Sequence, residues 1–581
     1  MLRKRFRSSM GREAIDTTER EPGLQEGPLR TSASSEVVEC LEEIQPQRRQ
    51  RCAEDKQKEA ELQDEALWGA KTGQLEAFAR NVSVDYLTMA IQMAIGVLML
   101  PFNISRLGQS EYGLLVLATS ITLYFSLLDF GYGVAQVKFA AEYRARRDRD
   151  GLNQIASTLF FLFSIVGLVV FGVGALIAFN LETFFNITHE QAATGRAVLM
   201  LVSAYVALGF PFSVFGGVVN GFQRHYVNGG VAIATTIVVA LVNVAVLLAG
   251  YGLVELVAAT TAVRILSYFG YRLNAYRAFP GLRISPRYFR LSRLREVTGF
   301  SIFLLVIDLA NKLNYSADTV VIGAFMSTVA ISIWAVAQRL AETAQDLTSQ
   351  MNAALFPIVV DIATLGEGDR LRRVLVQGTR LPLAMVIPIS TGLVMLADPL
   401  IKAWVGPQFT GSVPIIYVLA LAVMIRVGNS MATTLLKGAG GHRLLAIANS
   451  TAAVTNLVLS IALVKRFGLV GVALGTLIPL GLVSIFVLFP AACRRVELPV
   501  RSAIAQAILP TIWPMIPMMM FLAVTRNLAT AGLPYVALQS ILAGCLYALL
   551  FLRFAIGPEE RGWYETKVRQ LIKRPRTAAA V

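Results

Sequence analysis

Residues 154–179 read QIASTLFFLFSIVGLVVFGVGALIAF and contain no charged side chain. About 20 apolar residues are enough for one helix to cross the hydrocarbon layer of a membrane. Between Val84 and Phe554 the chain has fourteen such stretches, separated by short polar breaks. Helices satisfy their own backbone hydrogen bonds in lipid. We therefore predict an all-α polytopic membrane protein with about 14 transmembrane helices.

The orientation of the predicted spans follows from the charge of their loops. The spans, numbered one to fourteen, are residues 84–103, 112–136, 154–179, 197–220, 227–249, 254–271, 298–322, 328–357, 381–401, 412–436, 444–464, 469–490, 504–524 and 533–552. Short loops rich in Lys and Arg stay cytoplasmic. One set of alternate loops holds most of the arginines, seven of them between Arg272 and Arg295. Both termini are therefore predicted to be cytoplasmic.

The composition excludes several kinds of function. The chain is 55% hydrophobic and 16% charged, with a mean hydropathy of +0.58. Its four cysteines, Cys40, Cys52, Cys493 and Cys545, have no CxxC spacing, and its three histidines are scattered. We therefore expect neither a disulfide framework nor a metal site. No GxxxxGK[ST] motif is present, so we expect no catalytic residues and no ATP hydrolysis by a P-loop.

The segment before the first span, residues 1–83, carries 14 basic and 16 acidic residues. The net charge of +15 therefore belongs to the rest of the chain, mostly to its inner loops. This charge suits anionic membrane lipids better than nucleic acid. No apolar segment follows the first basic residues, so we expect no signal peptide. The tail is predicted to be partly disordered, with an amphipathic helix at 53–80, and to be either passive or regulatory.

The two halves of the membrane domain repeat. NGFQRH at 220–225 corresponds to KGAGGH at 437–442, and GLV at 252–254 corresponds to GLV at 468–470. Parallel repeats are a recurring plan of membrane transporters, with the substrate path between the bundles. We predict two parallel-repeat six-helix lobes followed by two C-terminal helices. The predicted domains are a cytoplasmic tail (1–83), an N-lobe (84–275), a basic cytoplasmic linker (276–297), a C-lobe (298–491), helices thirteen and fourteen (492–556) and a basic cytoplasmic C-terminal tail (557–581).

Three predicted spans carry polar residues on one helical face. Span seven has Asp308, Asn311, Lys312, Tyr315, Asp318 and Thr319, span eight has Gln338, Arg339, Glu342, Gln345, Asp346 and Ser349, and span ten has Arg426, Asn429, Ser430, Thr433 and Lys437. A charge at the bilayer centre costs at least about 2.5–3.5 kcal/mol, so these faces do not point at lipid. We predict that they line a watery cavity. The alternative is that their charges pair and pin helices together.

Charged residues inside the spans suggest two roles. The cations Arg264, Lys312, Arg339 and Arg426 suit an anionic substrate, because a phosphate in a low dielectric needs a fixed counter-charge. Asn311, Tyr315 and Gln338 complete the predicted substrate-binding set. The predicted residues for a coupling proton or sodium ion, or for pairing the lobes, are Asp129, Asp308, Asp318, Glu342 and Asp346. For Asp129 the alternative is a position at the exposed end of a helix.

Several short motifs resemble a known family. They are Leu107, Gly108, Tyr112 and Gly113; Leu128, Asp129, Phe130 and Gly131; Ala354, Leu355, Phe356 and Pro357; the run from Ala397 through Gly406 to Phe409; and Gly468, Gly471, Ala473 and Thr476. Over about residues 75–495 the chain is similar to bacterial polysaccharide transporters, the lipid-linked oligosaccharide flippases. These belong to the multidrug, oligosaccharidyl-lipid and polysaccharide exporter superfamily. The long N-terminal tail departs from the family pattern, and the last two spans are variable in it.

The resemblance implies two six-helix lobes around a V-shaped cavity that opens alternately to each side. It implies a substrate of undecaprenyl-diphosphate-linked oligosaccharide, moved from the cytoplasmic to the periplasmic leaflet of a bacterial inner membrane. It also implies that cations in the cavity matter and that a polysaccharide polymerase or another synthesis protein is a partner. No cofactor is expected beyond a coupling proton or sodium ion.

Two other functions compete with the flippase. A cation-coupled multidrug exporter of the same superfamily would favour acidic and aromatic residues in its cavity. A membrane glycosyltransferase or polymerase would need a large outer loop or an acidic catalytic cluster. The longest predicted outer loops, residues 180–196 and 397–410, are small. The sequence therefore favours a transporter over an enzyme.

Overall fold

The computed structural model describes residues 74–129, 131–295, 297, 317–527 and 532–555. Regular structure in this part of the chain is helical throughout, which confirms the all-α polytopic class. The predicted site residues Asp308, Asn311, Lys312 and Tyr315 lie outside the described residues, as do residues 1–73 of the predicted N-terminal tail and all of the predicted C-terminal tail.

We number the longer helices of the described residues α1 to α13. They are α1 (Gln74–Phe125), α2 (Tyr132–Arg146), α3 (Arg149–Phe179), α4 (His189–Gly221), α5 (His225–Leu248), α6 (Leu253–Ala278), α7 (Thr328–Leu365), α8 (Gly368–Met395), α9 (Ala397–Trp404), α10 (Val413–Gly438), α11 (His442–Val483), α12 (Met515–Thr525) and α13 (Leu533–Leu550). Residues 317–325 are also helical. The shorter helices are Leu181–Phe184, Phe489–Arg495, Val500–Ala503 and Leu509–Ile512.

Ten helices of the described residues are long and apolar enough to cross a membrane. Two of them, Ser83–Asp129 and His442–Arg495, each cover two predicted spans, because each joins two helices at a glycine with non-helical backbone. Gly108 has φ 80° and ψ 171°, and Gly468 has φ 56° and ψ −136°. Positive φ is strained for residues with a Cβ atom, so glycine suits both bends. The helix α7, which carries the polar face of predicted span eight, is outside these ten.

Small residues bring the helices of the N-lobe close together. A Cβ atom on Gly221 of α4 would lie 2.5 Å from the Cβ of Ala140 on α2. A Cβ on Gly174 of α3 would lie 2.6 Å from the Cβ of Ser203 on α4. Close packing of small residues is a common way for helices to associate in lipid, where the hydrophobic effect does not favour their contact. At these two positions the absence of a side chain lets the N-lobe helices pack closely against each other.

The linker after α6 is held against the start of α3 by buried polar side chains. Asn153 Nδ2 donates to Gly281 O over 3.2 Å, and Asn153 Oδ1 accepts from Arg283 N over 2.8 Å. The Ser157 hydroxyl donates to Arg283 O and accepts from Ser285 N, both over 3.2 Å. Asn153 and Ser157 are both fully buried. These side chains fix the path of the connection that leaves the N-lobe.

The turns support the predicted internal repeat. Gln223, between α4 and α5, has φ 59°, and Gly440, between α10 and α11, has φ 84°. The two residues are 217 positions apart, which is the offset of the NGFQRH and KGAGGH motifs. In the C-lobe, as in the N-lobe, the third helix binds the segment that leaves the lobe. Arg372 of α8 donates to Val496 O over 3.4 Å and to Glu497 O over 3.0 Å. Both lobes therefore have a turn with positive φ at the same position. In both, side chains of the third helix also bind the segment of chain that leaves the lobe.

The two C-terminal helices pack on the C-lobe. Met518 and Leu522 of α12 and Ala543 and Tyr547 of α13 share a buried apolar cluster with residues of α8 and α10, including Val386. The Tyr547 hydroxyl donates to Thr511 O over 2.7 Å, which satisfies a buried polar group. The pair is thus an addition to the C-lobe and leaves the N-lobe unchanged.

Candidate functional site

A cavity of about 250 Å³ lies inside the C-lobe. Its walls come from the helix at 317–325, from α7 and α10 and from the part of α11 after Gly468. The lining residues are Asp318, Trp334, Gln338, Ala341, Glu342, Gln345, Asp346, Leu419, Ala422, Val423, Arg426 and Thr476. Five of the residues predicted to bind substrate or a coupling ion therefore lie around one space. They are Asp318, Gln338, Glu342, Asp346 and Arg426, joined by Gln345 from the same predicted face.

A row of hydrogen bonds runs along the cavity face of α7. Trp334 Nε1 donates to Gln338 Oε1 over 2.7 Å, and Gln338 Nε2 donates to Glu342 Oε1 over 2.8 Å. The three residues are four positions apart, so they lie above one another on one helical face. Trp334 is buried, whereas Glu342 is exposed to the cavity. The row fixes the positions of two polar side chains that face the open space.

Arg426 supplies a positive charge to the cavity. It projects from α10, and its Nη1 donates to Gln345 Oε1 of α7 over 2.8 Å. An arginine within a membrane span is costly unless it faces water, a partner or a charged ligand. The guanidinium has a planar set of donors that matches the oxygens of carboxylate and phosphate groups. Arg426 is thus placed to bind an anionic group in the cavity.

Asp318 is a buried carboxyl group at the end of the same cavity, 6% exposed. Thr476 Oγ1 donates to Asp318 Oδ2 over 2.8 Å, and Ser460 lies beside the same carboxyl group. Within the described part of the chain, Asp318 Oδ1 has no hydrogen-bond partner. A buried carboxylate oxygen left without a partner is costly. Such an oxygen is a natural ligand for a proton or a hard cation.

Ser460, which lies beside Asp318, and its hydrogen-bond partner Asn456 are two further oxygen-bearing residues that sequence reasoning missed. The Ser460 hydroxyl donates to Asn456 Oδ1 over 3.0 Å and to Val472 O over 3.4 Å. Asn456 and Ser460 are buried and lie one helical turn apart on α11. The signal in the sequence was a pair of polar residues four positions apart, in a span that also contains Asn449, Ser450, Thr451 and Thr455. Carboxylate, amide, hydroxyl and carbonyl oxygens together form a donor set that fits a hard cation such as sodium.

Arg339 points away from the C-lobe cavity and lies against α1 of the N-lobe. Its Nη2 donates to Gln92 O over 3.5 Å, and its Nη1 lies 3.9 Å from Glu342 Oε2. The sequence predicted that Arg339 faces the cavity with its neighbours on α7. The structure instead places it between the two lobes, at the edge of that space.

Arg264 lies in the N-lobe, apart from the C-lobe cavity. Its guanidinium is 5.7 Å from the ring centroid of Tyr205, which stacks on Tyr268 at 5.6 Å. Arg264 is exposed, yet on α6 it lies opposite the exposed apolar residues Leu266 and Leu273. The apolar side of α6 is compatible with lipid. The opposite side, which carries Arg264, is expected to face an opening within the protein. Arg264 therefore remains a candidate for substrate binding from the N-lobe.

Asp129 has a local structural contact. Its carboxyl oxygens accept from Gly133 N over 3.1 and 3.2 Å, in the first turn of α2. A carboxylate at a helix N-terminus satisfies free N–H groups and interacts favourably with the helix dipole. This contact agrees with the alternative interpretation, a residue at a helix end. Asp346, by contrast, lines the cavity with Glu342.

The two lobes meet at the end of the molecule that carries the start of α7. The Ser110 and Thr328 hydroxyl oxygens are 3.3 Å apart, and Gln191 Nε2 contacts both hydroxyls. Gln109 Nε2 donates to Gln408 O over 3.5 Å. These contacts join α1 and α4 of the N-lobe to the C-lobe. They form a polar seal between the lobes on this side.

Comparison with known proteins supports the same architecture. Residues 105–414 match the model of a family described as "Polysaccharide biosynthesis protein". The "Probable flippase AglR" of Haloferax volcanii is 22% identical over 73% of this chain and 86% of its own length. The "Succinoglycan biosynthesis transport protein ExoT" of Rhizobium meliloti is 22% identical over 62% of this chain and 69% of its own.

Solved structures with a similar fold are membrane transporters. A structure titled "Lipid II flippase MurJ, inward closed conformation" aligns with a TM-score of 0.64, at 16% identity, over 85% of this chain and 99% of its own. An inward-facing multidrug resistance transporter of the MATE family and MOP superfamily aligns with a TM-score of 0.56, at 16% identity, over 72% and 98%. The expectation of a transporter rather than an enzyme agrees with these comparisons. Because the family model covers more than half of the sequence, the chain belongs to the polysaccharide biosynthesis protein family of multi-pass membrane proteins, as the sequence motifs predicted.

Proposed function

We propose that the protein is a flippase that moves an undecaprenyl-diphosphate-linked oligosaccharide from the cytoplasmic to the periplasmic leaflet by alternating access. Membership of the polysaccharide biosynthesis family supports a glycan substrate. The names of two relatives, a probable flippase and a succinoglycan biosynthesis transport protein, point to the same class of substrate. The alternating movement of the two lobes would carry the head group across while the isoprenoid chain stays in lipid.

The observation that carries the proposal is Arg426 inside a cavity of a chain of this family. A diphosphate brought into a low-dielectric space needs a fixed positive charge, and a guanidinium binds phosphate oxygens through two parallel N–H bonds. Gln338 and Gln345 beside it offer amide groups that suit sugar hydroxyls. Arg264 and Lys312 remain predicted contributors to the same path.

We propose that transport is coupled to sodium or a proton at Asp318. The unpartnered Asp318 Oδ1 and the oxygens of Thr476, Ser460 and Asn456 would hold the ion. When bound, the ion would neutralise a buried carboxylate. Asp318 packs against the second part of α11 through Thr476, so its charge state acts on helix packing in the C-lobe. Such a link between charge and packing is what couples an ion gradient to a lobe movement.

We propose a multi-pass location in a bacterial inner membrane with both termini in the cytoplasm, from the arginine-rich loops of one side. In this orientation the Ser110–Thr328 contact lies at the periplasmic end. Anionic lipids would then contact the basic linker, and a polysaccharide polymerase or another synthesis protein is the expected protein partner.

A multidrug exporter is a second candidate, and one observation favours it. The described cavity lining contains three carboxyl groups, Asp318, Glu342 and Asp346, beside one arginine. An acidic cavity suits a cationic drug coupled to a proton or sodium ion. Family membership favours the glycan substrate. A transport assay with a lipid-linked oligosaccharide and with a cationic drug distinguishes the flippase from the multidrug exporter.

The test is translocation by the purified chain in proteoliposomes. We expect Arg426→Ala to lower movement of a fluorescent undecaprenyl-diphosphate-linked oligosaccharide about tenfold or more, because a hydrogen bond to a charged group contributes about 1.5–3 kcal/mol. Lys437→Ala is the control, since Lys437 is an exposed cation on the same helix outside the cavity lining. Both variants should insert and elute as the parent does. Full transport by Arg426→Ala would remove the counter-charge argument.

A further inference from the structure

Arg339 occupies a space on α1 that exists only because residue 96 is glycine. A Cβ atom at this position would lie 2.5 Å from Arg339 Cζ and 3.0 Å from Nε, and it would overlap Nη2. Arg339 belongs to α7 of the C-lobe, and Gly96 belongs to α1 of the N-lobe. The guanidinium therefore crosses from one lobe into a notch on the other.

The guanidinium is held in this notch more by shape than by strong bonds. Its contacts to Gln92 O at 3.5 Å and Glu342 Oε2 at 3.9 Å are longer than the 2.7–2.9 Å typical of charged hydrogen bonds. Arg339 Nε is buried and has no hydrogen-bond partner among the described residues. Arg339 thus keeps donors that a better acceptor would satisfy.

The notch lies next to the cavity. Gln338 and Glu342, which flank Arg339 on α7, both line that space. A long arginine side chain can move by rotation about its own bonds while the helix stays in place. An anionic group in the cavity is therefore within the range of a side chain that rests between the lobes.

We propose that Gly96 positions Arg339 in a notch between the lobes and that the phosphate groups of the substrate compete with this notch for the guanidinium. This inference rests on the proposed function, because it needs an anionic group in the cavity. When Arg339 turns to the phosphate, the α1–α7 contact at Gln92 is lost. Binding of the head group thereby loosens the lobe interface, which links substrate entry to lobe movement.

The test is the affinity of the purified full-length chain for inorganic pyrophosphate, measured by isothermal titration calorimetry. A notch that holds the guanidinium about 70–90% of the time weakens the apparent affinity about 3–10-fold. Gly96→Ala fills the notch and frees Arg339, so we expect pyrophosphate to bind about 3–10-fold more tightly. Arg339→Gln should bind it more weakly than the parent. Gly230→Ala is the matched control, because a Cβ on this helical glycine meets nothing within 4 Å.

The direction in which Gly96→Ala changes the affinity for pyrophosphate shows whether Gly96 positions Arg339 or has only a structural role. A residue with only a structural role would lower affinity or leave it unchanged when substituted. In the translocation assay, Gly96→Ala should lower both KM and kcat, because the substrate binds more easily but no longer releases a lobe contact. If Gly96→Ala fails to insert, Gly96→Ser fills the same notch and is measured in its place.

The outcomes also separate this inference from the proposed function. Weaker binding by Arg339→Gln together with equal or weaker binding by Gly96→Ala would overturn the notch and leave the flippase standing. Unchanged binding by Arg339→Gln would overturn the competition and leave the proposed function, which relies on Arg426, standing. Tighter binding by Gly96→Ala with an unchanged Gly230→Ala supports the inference.

Discussion

Asp318 is a carboxyl group in a buried position, where a negative charge is energetically costly. It is buried, it bonds to Thr476 over 2.8 Å, and its second oxygen has no partner in the described part of the chain. A buried carboxyl group of this kind persists where a function requires it. Its neighbours Ser460 and Asn456 complete an oxygen-rich environment.

We expect Asp318→Asn to abolish the dependence of transport on a sodium or proton gradient. The amide keeps the volume but removes the charge that binds the ion. A coupling free energy of about 1–3 kcal/mol corresponds to a change of about 5–150-fold in affinity. Uptake into proteoliposomes with and without each gradient measures the effect. Asp398→Asn, in the exposed pair with Lys402, is the control. An Asp318→Asn protein that still responds to the same gradient would contradict the assignment.

Sequence reasoning found the charged residues of the site and the neutral Gln338, but it missed Asn456 and Ser460. Arg426 and Asp318 stand out because a charge inside an apolar span carries a large insertion cost. Asn456 and Ser460 carry no charge and cost little, so their place beside Asp318 follows only from the packing of α11. Arg339 was predicted on the correct face of its helix. One part of that face lines the cavity and another part contacts α1. The spacing of residues along the helix does not show which residues belong to which part.

At the scale of helices, α11 is organised by the bend at Gly468 and by close packing after it. A Cβ atom on Gly475 would lie 2.7 Å from Ser460 N and 2.9 Å from Ser460 Cα. Backbone atoms cannot move away as a flexible side chain can. The two parts of α11 therefore touch at Gly475, next to the residues that surround Asp318.

We expect Gly475→Ala to destabilise the protein by about 1–3 kcal/mol, the usual cost of forcing extra atoms into a packed interior. The measurement is thermal unfolding in detergent, where the melting temperature should fall. Gly172→Ala and Gly544→Ala are controls, because a Cβ on either glycine meets nothing within 4 Å. Equal melting temperatures for Gly475→Ala and the controls would show that the parts of α11 are not in close contact.

The sequence predicted the helical elements and the places where two of them are interrupted. Polar breaks near Gly108 and Gly468 marked the ends of predicted spans, and the structure places a bend at each. At both glycines the backbone leaves the helical conformation and joins two successive helices, and glycine reaches the required φ without strain. These breaks in hydropathy therefore mark true interruptions of the helices, but they do not show how tightly the two helices that follow one another are joined.

At the scale of the whole molecule, the repeat was predictable and the lobe contact was not. Short motifs at a constant offset indicated two related halves, and the turns at Gln223 and Gly440 support them. The side on which the lobes meet depends on contacts between distant helices, such as Ser110 with Thr328. Nothing in either local sequence specifies that pairing.

Alternating access requires the Ser110–Thr328 contact to break during each cycle. We expect a disulfide between Ser110→Cys and Thr328→Cys to stop transport, because the hydroxyl oxygens of the two residues are only 3.3 Å apart. The measurement compares oxidised and reduced protein, with the four native cysteines replaced by serine. Each single cysteine variant is a control, and reductant should restore activity. A cross-linked protein with full transport would contradict lobe separation on this side.

The most direct test of the account compares both kinds of substrate in proteoliposomes prepared in the same way. One vesicle population receives a fluorescent undecaprenyl-diphosphate-linked oligosaccharide, and another receives a cationic dye of the kind that drug exporters move. We predict that the protein moves the lipid-linked oligosaccharide to the opposite leaflet, that Arg426→Ala does not, and that the dye is not transported. Transport of the dye without movement of the oligosaccharide would contradict the flippase and leave the exporter.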